Sequence, residues 1–302
     1  MLGAQRRDSP MNTLFPGFER KQIAVSGASI NLVHGGRGPA VLLLHGYPQT
    51  HCIWHGIAPR LAQNYTVVAA DLRGYGDSSK PAGLPDHSNY SKRAMALDQV
   101  EAMQALGHET FYLVGHDRGG RVAHRLALDH PQRVKKLALL DICPTKTMFE
   151  RTDRAFAKAY FHWFFLSQPA PFPETLIGAN AEYFIKYQMG RRHGGLKVFA
   201  AEAMAEYLRC FSDPATIHAS CEDYRAAESI DLEHDGADAQ HKLACPVLAL
   251  WGKHGVIEQQ FDCLADWRAV ARDVRGHALD CGHYLPEEQA GEVARELEAF
   301  IG

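Results

Sequence analysis

Between an apolar run at 111–114 and a helical pattern at 122–128, the chain reads Gly115-His116-Asp117-Arg118-Gly119-Gly120-Arg121. Small-x-Asp-x-small-small between strand and helix is the spacing of a sharp turn that lifts one side chain above the edge of a sheet. Such a turn crowds its neighbours, and Gly115, Gly119 and Gly120 stand where a Cβ would meet adjacent backbone. The lifted side chain is a carboxylate, Asp117. A carboxylate is poorly suited to ester or amide cleavage and well suited to displacement at a saturated carbon, which leaves an alkyl ester on the protein. Hydrolysing that ester requires a base. Of seventeen histidines, His283 is the best placed. It lies after the last β-prone run and before the last helical pattern, in a loop that a parallel sheet brings to the same edge as Asp117.

Two arginines flank the nucleophile. Arg118 follows it directly, and Arg121 lies three residues later on the same helix face. A guanidinium answers a carboxylate through two parallel hydrogen bonds, which an ammonium cannot copy. Two such groups exceed what neutralising Asp117 requires, and the surplus points to an anionic substrate.

The elements that must position these residues are legible as patterns. Residues 21–25 and 29–34 alternate as a hairpin, 40–44 form a continuous apolar run, and 54–61 read as a helix. Strand 65–70, helix 93–106, strand 111–114 and strand 136–140 follow, the last ending at Asp141. This alternation implies an α/β fold with a mostly parallel sheet covered on both faces. From 144 to 244 the chain turns helical and aromatic-rich. Sheet patterns resume at 246–252 and 274–279, and a final helix is expected at 287–300. Residues 1–143 and 245–302 are thus expected to form one core, with 144–244 inserted as a helical cap. Met11 leaves open a later start, with residues 1–10 as an appendage.

Composition is that of an ordinary globular protein, 46% hydrophobic and 22% charged. A net charge of −3 gives no reason to expect nucleic acid or an anionic membrane as partner. The seven cysteines lack any Cys-x-x-Cys pair, which favours free thiols in a cytoplasm over disulfides or a zinc site. No signal-peptide core and no 18-residue apolar run is present.

The layout resembles the α/β-hydrolase fold, eight-stranded and capped, with the haloalkane dehalogenase and epoxide hydrolase branch most similar. That resemblance makes His45-Gly46-Tyr47-Pro48 the oxyanion loop, with the backbone N–H groups of Tyr47 and Arg118 facing developing charge. It also makes His283 the catalytic base. The usual Gly-x-x-Asp turn after the cap reads Gly252-Lys253-His254-Gly255 here, with Glu258 and Asp262 falling later, so Asp141 is expected to orient His283. Branch members typically carry Trp after the nucleophile, where this chain has Arg118. Asp117, Arg118, Arg121, Asp141, His283 and the pair His162-Trp163 together resemble the fluoroacetate dehalogenases. The resemblance implies halide donors at His162, Trp163 and Tyr224, a small haloacid substrate, a homodimer, and no cofactor or metal. Two rivals stand beside it. One is an epoxide hydrolase using two of Tyr160, Tyr187 and Tyr224; the other is a receptor that binds a small acid without turnover.

Overall fold

In the computed structural model, residues 13–302 are described; the expectation for residues 1–10 lies outside them. Eight strands form one sheet in the order β1-β2-β4-β3-β5-β6-β7-β8. β1 (Glu19–Val25) and β2 (Ala28–Gly36) are the antiparallel hairpin, and β2 also runs antiparallel to β4 (Thr66–Ala70). From β4 onward, β3 (Ala40–Leu44), β5 (Phe111–His116), β6 (Val134–Leu140), β7 (Val247–Gly252) and β8 (Val274–Leu279) are parallel. β3 is buried along its whole length, as its unbroken Ala-Val-Leu-Leu-Leu run requires when helices cover both faces.

Helix α1 (Lys92–Ala105) starts at Ser91, whose side chain accepts from the N–H of Ala94. Helix α2 (Arg118–Asp129) follows β5 directly. Between β6 and β7 the chain is helical from Thr145 to Ala237. This insertion includes α3 (Phe161–Leu166), α4 (Ala181–Gly190), α5 (Ala201–Phe211) and α6 (Pro214–Glu228).

Two helices differ from expectation. Residues 54–61 split into a 3-10 turn, His51–Trp54, and a short helix, Ala58–Leu61, because Pro59 supplies no N–H and belongs in a first turn. The last helix divides into α7 (Leu285–Glu288) and α8 (Ala290–Ile301), with Gln289 non-helical between them. Glu288 accepts from the N–H groups of Gly282 and Tyr284 (2.7 and 3.1 Å), so α7 is tied back onto the loop carrying His283. Among the described residues all seven cysteines are free, and no helix is long and apolar enough to cross a membrane.

One core acid is unusual. Glu287 of α7 accepts from Tyr207 of α5 and from Gln49 Nε2 (3.2 Å), while its second oxygen is buried without a partner. His55 Nδ1 stays 3.7 Å away and donates instead to the Cys52 carbonyl (3.0 Å). Burial therefore pushes the Glu287 carboxyl up to about 8, against the smaller opposing effect of the Tyr207 hydrogen bond. In the unfolded chain it ionises at the ordinary value. Between those two values the folded protein holds a proton that the unfolded chain has released, so stability present at lower pH is lost as pH rises through about 8. Glu287→Gln should remove that dependence. Thermal melts should show the variant gaining on the wild type from pH 5 to about pH 8 and levelling off above it, whereas a constant difference across that range would mean that Glu287 is ionised throughout.

Candidate active site

The turn after β5 holds Asp117 at φ 48° and ψ −116° and projects its carboxylate from the C-terminal edge of the sheet. The close approach that permits this is specific. A Cβ on Gly119 would lie 2.2 Å from the carbonyl oxygen of His45, and one on Gly46 would lie 2.4 Å from the Asp117 Cβ. The loop after β3 therefore passes against the elbow, and the N–H of Tyr47 donates to Asp117 Oδ1 at 2.9 Å. Arg118 opens α2, where a backbone N–H has no intrahelical partner. Of the two expected oxyanion donors, the Tyr47 N–H contacts the carboxylate and the Arg118 N–H begins the helix next to it.

Asp117 is 3% exposed. Burial works against its ionisation, yet His283, His116, Arg121 and Arg118 outweigh burial and hold the carboxyl well below the usual range. The other oxygen, Oδ2, faces His283 Nε2 at 3.9 Å, too long for a hydrogen bond. His283 Nδ1 is 2.6 Å from Asp141 Oδ2, so the network assigns Nδ1–H as donor and leaves Nε2 free to accept a proton. Asp141 closes β6 at φ 53° and is fixed by the N–H of Gly252, which donates to Oδ1 at 2.8 Å. Glu258 and Asp262 are engaged elsewhere. Glu258 accepts from Trp251 Nε1, and Asp262 caps the helix Cys263–Val270.

The cap closes over this edge. His162 and Trp163 on α3 and Tyr224 on α6 are each 3% exposed or less, and His162 Nδ1, Trp163 Nε1 and the Tyr224 hydroxyl have no protein partner. The Tyr47 ring stacks on His162 (centroids 5.9 Å) and meets Tyr224 edge-on (5.3 Å), so the loop after β3 and these two rings of the insertion share one wall. Burial, followed by the charge of Arg192, keeps His162 neutral well below its ordinary value. The His162 and Tyr224 rings are neighbours (centroids 5.8 Å) and Trp163 follows His162 in α3; buried polar groups without partners are costly for a folded chain unless a ligand answers them.

The two arginines differ from each other. Arg118 is spent on a cap acid: Nε and Nη2 bind the two carboxylate oxygens of Asp223 at 2.9 and 2.7 Å, and Nη2 also reaches its carbonyl at 2.8 Å. Asp223 further accepts from Lys92 and from the Tyr75 hydroxyl (2.6 Å). Only Nη1 of Arg118 remains without a partner. The expected surplus of charge therefore reduces to Arg121. Its guanidinium is cradled by the carbonyl of Cys143 (3.3 Å), Thr145 Oγ1 (2.9 Å) and Met148 Sδ (3.2 Å), and lies 4.7 Å over the Trp163 ring. Among the described residues no carboxylate pairs with it, and burial together with Arg118 lowers its proton affinity.

Two contributors are not evident from the sequence patterns. Asp223 stands beside Tyr224 in Cys221-Glu222-Asp223-Tyr224-Arg225, where three buried charged residues in one helical turn were the available signal. His116 donates from Nε2 to the His283 carbonyl (2.8 Å) and steadies the base loop. Burial and the neighbouring His283 bring its own value down to about 4.

A buried carboxylate on a strand-helix turn at positive φ, a histidine in the loop after the last strand and a loop from β3 facing both define a class. Residues 39–290 match the family model described as alpha/beta hydrolase fold, and the chain belongs to the α/β-hydrolase family. A fluoroacetate dehalogenase of Burkholderia sp is 50% identical over 95% of each chain. A soluble epoxide hydrolase of Corynebacterium sp. (strain C12) is 34% identical over 89% of this chain and 92% of its own. Among solved structures, an alpha/beta hydrolase from Nostoc sp PCC 7120 superposes with TM-score 0.93 at 60% identity, covering 94% of this chain and 98% of that one. The epoxide hydrolase CorEH superposes with TM-score 0.85 at 32% identity, covering 94% and 98%.

Asp223→Asn should leave Arg118 and Lys92 facing a neutral amide in a dry site. Unpairing a buried charge in this way costs about 3–5 kcal/mol. For a chain of this size the melting temperature should fall by about 5–8 °C. A drop below about 2 °C would show that Tyr75 and neighbouring dipoles can replace the carboxylate.

Proposed function

We propose that the protein hydrolyses short 2-halo carboxylates, with fluoroacetate to glycolate as the reference reaction, through an ester on Asp117. The observation that carries this reading is Arg121, a buried guanidinium without a carboxylate partner in the wall that holds Asp117 and three unanswered donors. A haloacid supplies what each group lacks. Its carboxylate meets Arg121 and the free Nη1 of Arg118, and its halogen meets His162, Trp163 and Tyr224. The Burkholderia relative supports the choice of substrate.

In the first step Asp117 Oδ2 attacks Cα in line, the carbon–halogen bond breaks with its electron pair, and the halide leaves toward the cap donors. If each donor is worth about 1.5–3 kcal/mol to the leaving ion, three supply roughly 5–9 kcal/mol. That corresponds to a factor of about 10³–10⁶ in rate. In the second step His283 Nε2 takes a proton from water, whose oxygen attacks Cγ of Asp117. Asp141 steadies the imidazolium, and the N–H groups of Tyr47 and Arg118 hold the oxyanion at Oδ1. Collapse breaks the ester C–O bond, and the leaving alkoxide takes the proton from His283 to give the 2-hydroxy acid. Asp117, carrying the water oxygen, loses its remaining proton to solvent and returns to the carboxylate. The residues require no cofactor or metal for this sequence. Asp117, His283 and Asp141 work as a triad whose nucleophile is a carboxylate, so the base serves the second step alone. An epoxide hydrolase would need paired hydroxyls over Asp117. Tyr187 is half-exposed on α4, which leaves Tyr160 and Tyr224 as that pair, and a neutral epoxide would leave Arg121 unanswered.

Fluoride release from fluoroacetate, read with an ion electrode, is the direct test. His283→Asn should release one fluoride per site and then stall, with the intact mass raised by a carboxymethyl group. Fluoroacetamide should be a very poor substrate, since losing the charge-assisted contact costs on the order of 2–5 kcal/mol. Equal kcat/KM for acid and amide would sink the carboxylate clamp, and the absence of any adduct with fluoride release also lost would take His283 out of its role.

The same reading includes a homodimer. Phe172 and Leu176 lie one turn apart on the helix Phe172–Gly178, and Tyr183 and Tyr187 one turn apart on α4, all four at least half-exposed. A second copy covering this apolar face is the expected arrangement. Light scattering should give twice the chain mass, and Tyr183→Glu combined with Leu176→Glu should return it to that of one chain. A monomeric wild type at tens of micromolar would remove the proposal.

A further inference from the structure

Directly after α4 the chain reads Arg191-Arg192-His193-Gly194-Gly195, and this segment takes no part in the chemistry above. Arg191 donates from Nη2 to the carbonyls of Lys158 (3.2 Å) and Ala159 (3.0 Å), and its guanidinium lies 5.1 Å over the Phe161 ring. Arg192 lies 4.7 Å over the ring of Tyr160. Arg191 Nη1 and Arg192 Nε are buried without partners, and among the described residues neither arginine pairs with a carboxylate. The nearby acid is already used. Glu288 accepts from His193 Nδ1 (3.0 Å) and from the N–H groups of Gly282 and Tyr284.

The position of this pair gives it meaning. Tyr160, His162 and Tyr284 are each 3% exposed or less, whereas both arginines are only partly covered. After burial, the charge of Arg192 is the strongest influence on all three of those buried groups. Arg192 therefore stands between solvent and the wall that carries His162, with one ring between its guanidinium and the halide donors. The segment is also anchored to the base loop, because Gly282 packs against His193. An arginine on an ordinary surface extends into water or pairs with an acid. This one is folded onto an aromatic ring with an unanswered buried N–H, and its field disfavours positive charge on its neighbours. An arriving anion relieves both costs.

We propose that Arg192, with Arg191 beside it, forms an outer anion station. It receives the carboxylate of a small monoanionic acid before Arg121 does, and receives halide or hydroxy acid on the way out. The identity of the reactive monoanion rests on the haloacid reading; the station itself requires only a small anion. A partly exposed cation on the solvent side of a buried site raises local anion concentration and encounter rate, by a factor that salt reduces.

The test compares wild type, Arg192→Gln and Arg192→Lys with fluoroacetate across ionic strength, and with glycolate as a non-reacting probe. For Arg192→Gln, kcat/KM should fall by about 5–20-fold at low salt, kcat should fall less, and the salt dependence should flatten. Arg192→Lys should keep most of the salt dependence, because a charge is retained. The association rate of glycolate, followed by stopped-flow tryptophan fluorescence, should fall in parallel in Arg192→Gln. An unchanged kcat/KM and salt slope overturns the station. A loss confined to kcat that Lys does not rescue also overturns it, because the residue is then packing for Tyr160. A wild type that releases no fluoride, yet shows Arg192-dependent glycolate association, overturns the haloacid reading and leaves the station standing.

Discussion

To act as a nucleophile Asp117 must be charged, and it must also be dry. Those two demands conflict, because burial favours the protonated acid. The neighbourhood resolves the conflict from several sides at once. One oxygen takes the Tyr47 N–H, the other faces His283, and two guanidiniums rise from the helix that the residue itself begins. None of these groups could converge without the turn at φ 48° and the glycines that let the β3 loop press against it. The arrangement is electrostatic preorganisation, in which the folding energy of the sheet edge holds the charges that a reaction would otherwise have to gather.

The same helix also holds the cap in place. Arg118 and Arg125 lie two turns apart on α2 and both reach acids of the insertion, Arg118 to Asp223 and Arg125 to Asp235 and Asp238 (2.7 and 2.5 Å). Lys92 from α1 joins at Asp223 and Asp231. Buried ion pairs of this kind add little net stability over apolar packing but tolerate few alternative arrangements. They tie the helices of the insertion, Tyr224 among their residues, to the helix that begins at Asp117. Arg118, next to Asp117 in the chain, is thus also an anchor for the helical insertion.

Much of this is legible in the sequence. The elbow glycines, the terminal positions of Asp141 and His283, and the break from alternating to helical pattern at 144 carry local signals, because each is written within a few residues. What stays hidden is pairwise and distant. Asp223 is 105 positions from Arg118, and nothing in either local pattern says that they meet. The charge surplus is therefore overcounted by one arginine. The helix expected at 54–61 fails for a local reason, Pro59, and the last helix divides because Glu288 serves the base loop.

Asp117 and Asp141 are joined by nothing more than helix α2 and strand β6. The proposed nucleophile and orienting acid consequently belong to a single βαβ unit, and the whole helical insertion enters the chain after both are in place. Had the acid followed β7, every change in the length of the insertion would lie between the two residues that must stay in register. With this wiring the insertion can be exchanged or reshaped as a cassette, and only the loop bearing His283 must find its way back to a pair that is already set.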